Sequence, residues 1–415
     1  METVMNDING RPEIHTCHAP APASGGGNLP EPAKAPSIMR WIGILTGIVA
    51  ALIFSAAVWA NARMSSRTLP DSGSVLYQKG CAACHGIDGA GAPTGRLGFE
   101  TPMPDFTDCN FATREADVDW IYVTEEGGPA RAFSRMMPAF GSALNRTQIE
   151  KTLNHIRTFC PNEDWPRGEL NLPRPIYTTK AYPEDEVVVS MLFNTEDQDT
   201  ISTELIFEKR FGVRNQIELI IPFGWREQVE ADANGNSEWT SSVGDLGLGV
   251  KRVLYHDLKK GSIVSLAGEM FFPTGDDDEG FGNDTAVFEP YLAYGQILPL
   301  DFFLHSQAGA AFPFDGDQMN EEVFLRVALG RTFLTGQYGR SWSPMVELLG
   351  SKELNADADD QWDLAPQLQV SLSTRQHVRL AVGARIPMTD TDVREAEFGG
   401  YLLWDWFDGG FFEGW

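Results

Sequence analysis

The sequence predicts a multidomain fold: a small all-α domain followed by an antiparallel β-barrel of about twelve strands. Three observations lead there. Apolar residues recur at helical spacing on either side of a Cys-x-x-Cys-His motif within residues 66–160. From residue 186 onward that period gives way to alternating polarity cut by turn residues. A proline-dense stretch, 161–185, separates the two.

The chain has 415 residues, too many for one small helical domain, and a formal net charge of −26. Its sequence pI is about 4.6. That acidity argues against nucleic acid as a partner, because nucleic-acid binders present basic faces. Residues 1–38 are rich in Pro, Gly and Ala and read as a disordered extension. Cys17, His15 and His18 within it read as incidental. Segment 39–62 follows. Its run from Trp41 to Ala60 carries no charge and is long enough to span a bilayer. Small residues near Ala60 and Ala62 suit signal-peptide cleavage, while a retained inner-membrane anchor fits the same run. Met39 offers an alternative start.

The motif is Cys81-Ala82-Ala83-Cys84-His85. Two thiols at this spacing can each form a thioether to one vinyl group of a single porphyrin, and the next residue then sets its imidazole under the iron. No second ligand pair lies nearby to favour zinc. The motif therefore predicts one covalent haem c. Ser74 to Ala82 reads as a helix running into it. The ring's other nitrogen needs an acceptor, for which the Pro93 carbonyl is a candidate. A second axial ligand is expected from the run Met136-Met137-Pro138-Ala139-Phe140-Gly141. Met137 is the choice because Pro138 fixes the backbone beside it; Met136 is the fallback and Met103 a more distant one. Thr147 to Glu150 resembles a capping box, and Ile149, Leu153, Ile156 and Phe159 recur at helical spacing behind it. His155 reads as a surface or packing residue. Cys109 and Cys160 are left over in an oxidising compartment and form a candidate disulfide.

Taken together, residues from about Gly73 to Cys160 resemble a class I cytochrome c: an N-terminal helix, Cys-Ala-Ala-Cys-His, a loop, a Met-Pro-x-Phe-Gly segment and a C-terminal helix. The resemblance implies a small helical fold, haem c and single-electron transfer. It implies no enzyme activity, since both axial positions are filled.

Five prolines, Pro161, Pro166, Pro173, Pro175 and Pro183, mark 161–185 as a semi-rigid linker. Beyond it, twelve strands are expected to begin near Val187, Ser202, Asn215, Val243, Ser262, Thr285, Asp301, Glu322, Ser341, Gln361, Gln376 and Glu397. Leu368, Val370 and Leu372 alternate with Gln367, Gln369 and Ser371; Leu380, Val382 and Ile386 alternate with Arg379 and Arg385. Alternation alone fits a soluble sheet or a membrane barrel with a polar lumen. The connections favour the barrel. Alternate ones are long and acidic (195–199, 227–241, 274–280, 314–322, 353–360, 389–395), while the others are shorter and carry Arg214, Lys259, Lys260, Arg340 and Arg375. Phe271, Phe272, Trp404, Trp406 and Phe407 are candidate interfacial aromatics, and Trp415 ends the chain. Asp276 to Glu279 and Asp357, Asp359 and Asp360 lack the ligand spacing of a calcium loop and read as a solvated acidic surface.

This region resembles the outer-membrane channels associated with phenol degradation, and the order of leader, cytochrome and barrel is similar to cytochrome–porin fusions that oxidise iron at the cell surface. It differs from the latter in having a full haem domain with its own methionine. The resemblances imply a barrel in the outer membrane, a haem domain in the periplasm, and membrane lipid and periplasmic redox proteins as partners, with a small-molecule or metal redox species as a further candidate. The alternative is that the barrel is a small-solute transporter or a passive anchor.

Overall fold

The computed structural model describes residues 72–98, 103–194, 200–227, 239–335, 339–354 and 358–406. The extension, the apolar run 41–60, Phe407 and Trp415 lie outside the described residues. The helical part and the sheet belong to one compact unit, Ser65–Trp415.

Among the described residues, six short α-helices form the first part: α1 (Gly73–Gly80), α2 (Ala82–His85), α3 (Thr94–Leu97), α4 (Cys109–Ala112), α5 (Asp117–Glu126) and α6 (Arg146–Arg157). Their core is Tyr77, Phe106, Ile121, Ile149, Leu153 and Ile156. α1 packs on α6, and the crossing needs Gly73: a Cβ there would meet the Lys151 carbonyl. α1 is one turn-end shorter than expected, stopping at Gly80. The cap of α6 also sits earlier. Asn145, not Thr147, accepts from the Gln148 N–H at 3.0 Å, and Gln148 returns a bond from the Asn145 N–H at 3.1 Å. Thr147 falls inside the first turn. His155 packs between Tyr77 and Phe159, with ring centroids 5.4 and 5.1 Å away. Cys109 and Cys160 form a disulfide with 5.3 Å between their Cα atoms, tying α4 to the chain just beyond α6.

The second part is a closed antiparallel barrel of twelve strands: β1 (Asp185–Asn194), β2 (Thr200–Phe211), β3 (Asn215–Glu227), β4 (Trp239–Val243 and Leu246–Asp257), β5 (Ser262–Phe272), β6 (Val287–Ile297), β7 (Phe302–Pro313), β8 (Glu322–Arg331 and Phe333–Thr335), β9 (Arg340–Glu353), β10 (Gln361–Ser371), β11 (Val378–Pro387) and β12 (Glu397–Asp405). Each pairs with its neighbours in sequence, and β12 closes on β1. β4 is broken at Gly244–Asp245 for a reason visible in its bonds. The Asp245 carboxylate accepts the backbone N–H groups of Thr274, Gly275 and Asn283 at 3.0, 3.0 and 2.8 Å, fastening the β5–β6 loop over the strand. Five expected strand starts, Asn215, Ser262, Glu322, Gln361 and Glu397, coincide with the observed ones.

The alternation resolves into an inverted polarity. Gln216, Glu347, Gln367, Gln369 and Ser371 are buried inside, while Leu248, Val250, Leu292, Val382 and Phe398 stand at least half exposed on the outer wall. In a water-soluble sheet the apolar face would be the covered one; here it faces outward all round, as a hydrocarbon environment requires. Two expected girdle residues depart from this pattern. Phe271 packs inward beside Phe272, which faces out, and Trp406 is buried with its ring 5.6 Å from that of Phe207.

Segment 161–185 is not a semi-rigid linker running between the two parts. Residues 170–184 enter the barrel and fill its lumen. Leu170, Ala181 and Tyr182 join a core with Val253, Ile263, Tyr291 and Phe324 from the wall. Ionic and hydrogen bonds hold the rest. Arg174 pairs with Glu186 at 2.8 Å and Glu208 at 3.2 Å, and Lys180 with Glu184 at 2.5 Å and Glu186 at 3.2 Å. The Glu347 carboxylate accepts the N–H groups of Ile176, Tyr177 and Thr178 at 3.0, 3.0 and 2.7 Å. Arg326 on β8 donates to the Tyr177 carbonyl at 3.0 Å. Prolines suppress secondary structure, but the donors and acceptors they leave unpaired must be satisfied. The polar lumen supplies those partners.

Candidate functional site

The helical domain encloses a cavity of about 840 Å³. One wall carries the motif: Cys81, Cys84 and His85 all border it. Local bonds shape that wall. Cys81 ends α1, its N–H bonded to the Tyr77 carbonyl at 2.8 Å, and α2 starts from the Cys81 carbonyl, which accepts from His85 N–H at 2.9 Å. This half-turn puts both thiols and the imidazole on one side. The Tyr77 hydroxyl donates to the Gly86 carbonyl at 2.6 Å and braces the chain just past the histidine. The His85 ring stacks on Phe106, centroids 5.1 Å apart.

The opposite wall is the segment Gly127–Gly141, which brings Met136, Met137, Pro138 and Phe140 to the same cavity. Gly128 N–H donates to the Met137 carbonyl at 3.0 Å, and Met137 N–H to the Ser134 carbonyl at 3.1 Å. The Met137 backbone is therefore held from both sides. Met136, half exposed at 51%, is the more open of the pair. Met103 lines the cavity as well.

Electrostatics suit a neutral ligand set. Burial lowers the His85 pKa, keeping the imidazole uncharged and able to bind a metal. Burial, with the neighbouring Cys84, pushes the Cys81 thiol up to about 11. Burial also pushes the Tyr77 hydroxyl up to about 12. The fit to haem rests on one further feature. His85 Nδ1 is buried with no hydrogen-bond partner among the described residues, beside a cavity bordered by two thiols. The uncharged ring, with a nitrogen that no group among the described residues satisfies, stands beside two thiols on a largely apolar wall, a donor set that suits a covalently held haem. The Pro93 carbonyl does not serve as its acceptor; it takes the Arg96 N–H at 2.9 Å.

Sequence reasoning missed several residues of this cavity. Trp120 on α5 lines it, with the Arg157 guanidinium 3.8 Å above its ring. Arg131 is buried there and donates to Asp119 at 3.0 and 2.8 Å. Arg375, from the turn between β10 and β11, also reaches the wall. No local pattern marks these positions, because only the fold brings them to the motif. Among the described residues, no cluster of three or more His, Cys, Asp or Glu is arranged to hold a metal ion. The acidic run Asp276 to Glu279 lies exposed at the long-loop end.

Fold and site define a two-part protein: a helical domain shaped for a covalently held haem, joined to a closed, lumen-filled β-barrel with an apolar outer wall. Residues 70–159 match the family described as "Cytochrome c". Residues 191–386 match the family described as "Putative MetA-pathway of phenol degradation". The chain thus joins a domain that matches cytochrome c to a barrel that matches that second family. Among solved structures, it is similar to the COG4313 outer membrane channel from Pseudomonas putida F1, with 15% identity and a TM-score of 0.41 over 57% of this chain and 100% of that one. It is also similar to the KdgM porin in complex with disordered oligogalacturonate, with 11% identity and a TM-score of 0.36 over 53% of this chain and 99% of that one. The NanC porin gives 10% identity and a TM-score of 0.36 over 53% and 98%. No curated protein matches the chain.

Proposed function

We propose that the protein is a mono-haem electron carrier of the cell envelope, held at the outer membrane by its barrel. Cys81 and Cys84 would hold the group through thioethers, and His85 and Met137 would supply ligands to its iron, with Met136 as the fallback. The observation that carries the reading is the convergence of the motif and the methionine segment on one cavity. Bound haem supplies one-electron chemistry. The chain's own residues fix its position, exclude water through Phe106, Trp120 and Leu153, and set the ligand charge. Two side-chain ligands, His85 and Met137, would leave no place for a substrate at the metal, which favours transfer over turnover.

The barrel's apolar wall would lie in lipid. Short turns and both ends of the sheet share one end of the barrel, and the haem domain sits at that end. The Arg114 guanidinium on the haem domain pairs with Asp185 at the start of β1, and Arg214 with Asp164 at 3.2 Å. Short turns on the periplasmic side are usual for such barrels, which would place haem in the periplasm. The apolar band of such a barrel is about 25 Å tall, so one haem beneath it needs a partner redox protein or a mobile redox species to pass electrons further.

The lumen favours one version of the alternative. With residues 170–184 bonded through its interior, the barrel fits a passive anchor better than an open solute channel. The test is fractionation of envelope membranes with a haem stain, followed by spectroscopy of the purified full chain. A haem-stained band in the outer membrane with low-spin haem c spectra is expected. Pigment extracted by acidified acetone would exclude the thioethers, and a soluble haem protein would exclude the anchor.

A further inference from the structure

We infer that the barrel is a positioning element of the haem site: the turns that carry Gly339 and Gln376 brace residues 131–133 and, through them, hold Met137 across the cavity from His85. The inference rests on the ligand assignment above and goes beyond it, because it makes the strength of the methionine bond depend on the barrel.

The brace can be followed contact by contact. Arg131 is buried, pairs with Asp119 at 2.8 Å and lies 4.4 Å over the Tyr122 ring. Gly339, before β9, backs directly onto that stack: a Cβ there would lie 3.2 Å from the ring and 3.4 Å from the guanidinium. From the next turn, the Arg375 guanidinium lies 4.8 Å from the centroid of the Phe133 ring. The two turns are tied to each other. The Gln376 side chain accepts from the Ser341 hydroxyl at 3.0 Å and donates to the Gly339 carbonyl at 3.2 Å. Arg114 pairs with Asp185 on β1, so the helical domain is fastened to the barrel at a second place and cannot swing away from the turns.

What lies between the braced residues points to their role. Ala132 is left-handed, φ 56°. A residue with a Cβ keeps that conformation only where its surroundings impose it. Its neighbours on either side, Arg131 and Phe133, are the residues that the two barrel turns touch. From there the path to the methionine is short. Phe133 N–H donates to the Gly128 carbonyl at 2.9 Å, and Gly128 N–H donates to the Met137 carbonyl at 3.0 Å. Gly128 also sits so close that a Cβ on it would lie 3.1 Å from the Met137 Cβ. Barrel turn, left-handed residue and methionine backbone thus form one run of adjoining contacts, the kind of packed network through which a displacement at one end is felt at the other.

The test titrates the oxidised full-length protein in detergent with imidazole, which competes with a methionine sulfur for haem iron. Gly339→Asn is compared with Gly212→Asn. Both glycines are left-handed barrel-turn residues, φ 57° and 60°, and asparagine tolerates that conformation. A Cβ at Gly212 meets only Asn215, at 3.7 Å, so that variant loads a barrel turn without pressing on the haem domain. Gly339→Asn is expected to raise the apparent imidazole affinity about fivefold and to weaken the far-red absorption that marks sulfur on ferric haem. Gly212→Asn should match the wild type. Wild-type behaviour in Gly339→Asn would overturn the inference. So would equal shifts in the two variants, because that pattern marks a general loosening of the barrel. If Gly339→Asn does not fold, Gln376→Asn takes its place: it suits the left-handed turn, φ 70°, but is too short to bridge Ser341 and Gly339. Raised imidazole affinity is again expected, and wild-type affinity again defeats the inference. A wild type without the sulfur absorption refutes the ligand assignment and this inference with it; a wild type that shows it, with unmoved variants, refutes the positioning role alone.

Discussion

The two halves of this chain bury opposite things. In the haem domain the covered side chains are mostly apolar, Tyr77, Ile149, Leu153 and Ile156 among them, with Arg131 a buried charge held by Asp119. In the barrel the most covered include Lys180, Glu184, Glu186, Glu208 and Gln216, while Val250 and Val382 face outward. The difference follows from the solvent each expects. A water-facing domain gains by covering apolar surface. A lipid-facing wall gains nothing that way, so its interior is free to hold polar groups provided that each finds a partner. The segment 170–184 provides many of those partners, and this makes the lumen a packed polar core rather than a pore.

The comparison can be broken most sharply at the cofactor. Replacing Cys81 and Cys84 together by Ala should abolish covalent haem entirely, read as loss of the haem-stained band. The barrel should still fold, seen as heat-modifiable migration in detergent gels. Loss of barrel folding would mean that the halves are not separable in the way their cores suggest.

The next largest effect lies in the lumen. Arg174→Ala would leave Glu186 and Glu208 buried without that guanidinium, a type of change that costs about 3–5 kcal/mol. The expected result is a lowered unfolding temperature in detergent, together with new conductance in planar bilayers as residues 170–184 loosen. Closed barrels after this substitution would show that the apolar contacts of Leu170, Ala181 and Tyr182 hold the segment without it.

How far the sequence speaks differs between these same regions. The haem motif was legible because chemistry fixes its spacing: two thioethers and an imidazole allow few arrangements. The strands were legible because each repeats a period of two over about ten residues, and five starts coincide with the structure. The lumen-filling segment was not. Pro173, Pro175 and Pro183 signal extended chain, but whether extended chain runs through water or through a barrel depends on Glu347, Gln307 and Gln369, far away in sequence. Arg375 is hidden for the same reason. A basic turn residue has a hundred innocent readings until the fold sets it beside Phe133.

Within the haem domain, smaller effects sharpen the picture. The Cys109–Cys160 bridge spans a sequence separation of 51. Its removal by a double Ala substitution should cost about 2–4 kcal/mol, chiefly by freeing the unfolded chain. Denaturant titration of the oxidised wild type against the variant measures this. Gly73→Ala should cost about 1–3 kcal/mol, since α1 must back away from the Lys151 carbonyl to admit a methyl group. Thermal melts followed by haem absorbance would report it without interference from the barrel.

The smallest expected change tests whether the helical domain obeys ordinary helix rules despite its attachment to a membrane barrel. Asn145 caps α6 from a position two residues before the threonine that sequence pattern favours. Asn145→Ala should cost about 1 kcal/mol, because the Gln148 N–H loses its acceptor. Thr147→Ala should cost much less, since Thr147 lies within the first turn and makes no cap. The pair of melts is decisive as a difference. Equal losses, or a larger loss at Thr147, would put the true start of α6 where the Thr147–Glu150 pattern places it and would shift its register against α1. That register matters to the site, because Leu153 and Ile156 on α6 form part of the cavity wall.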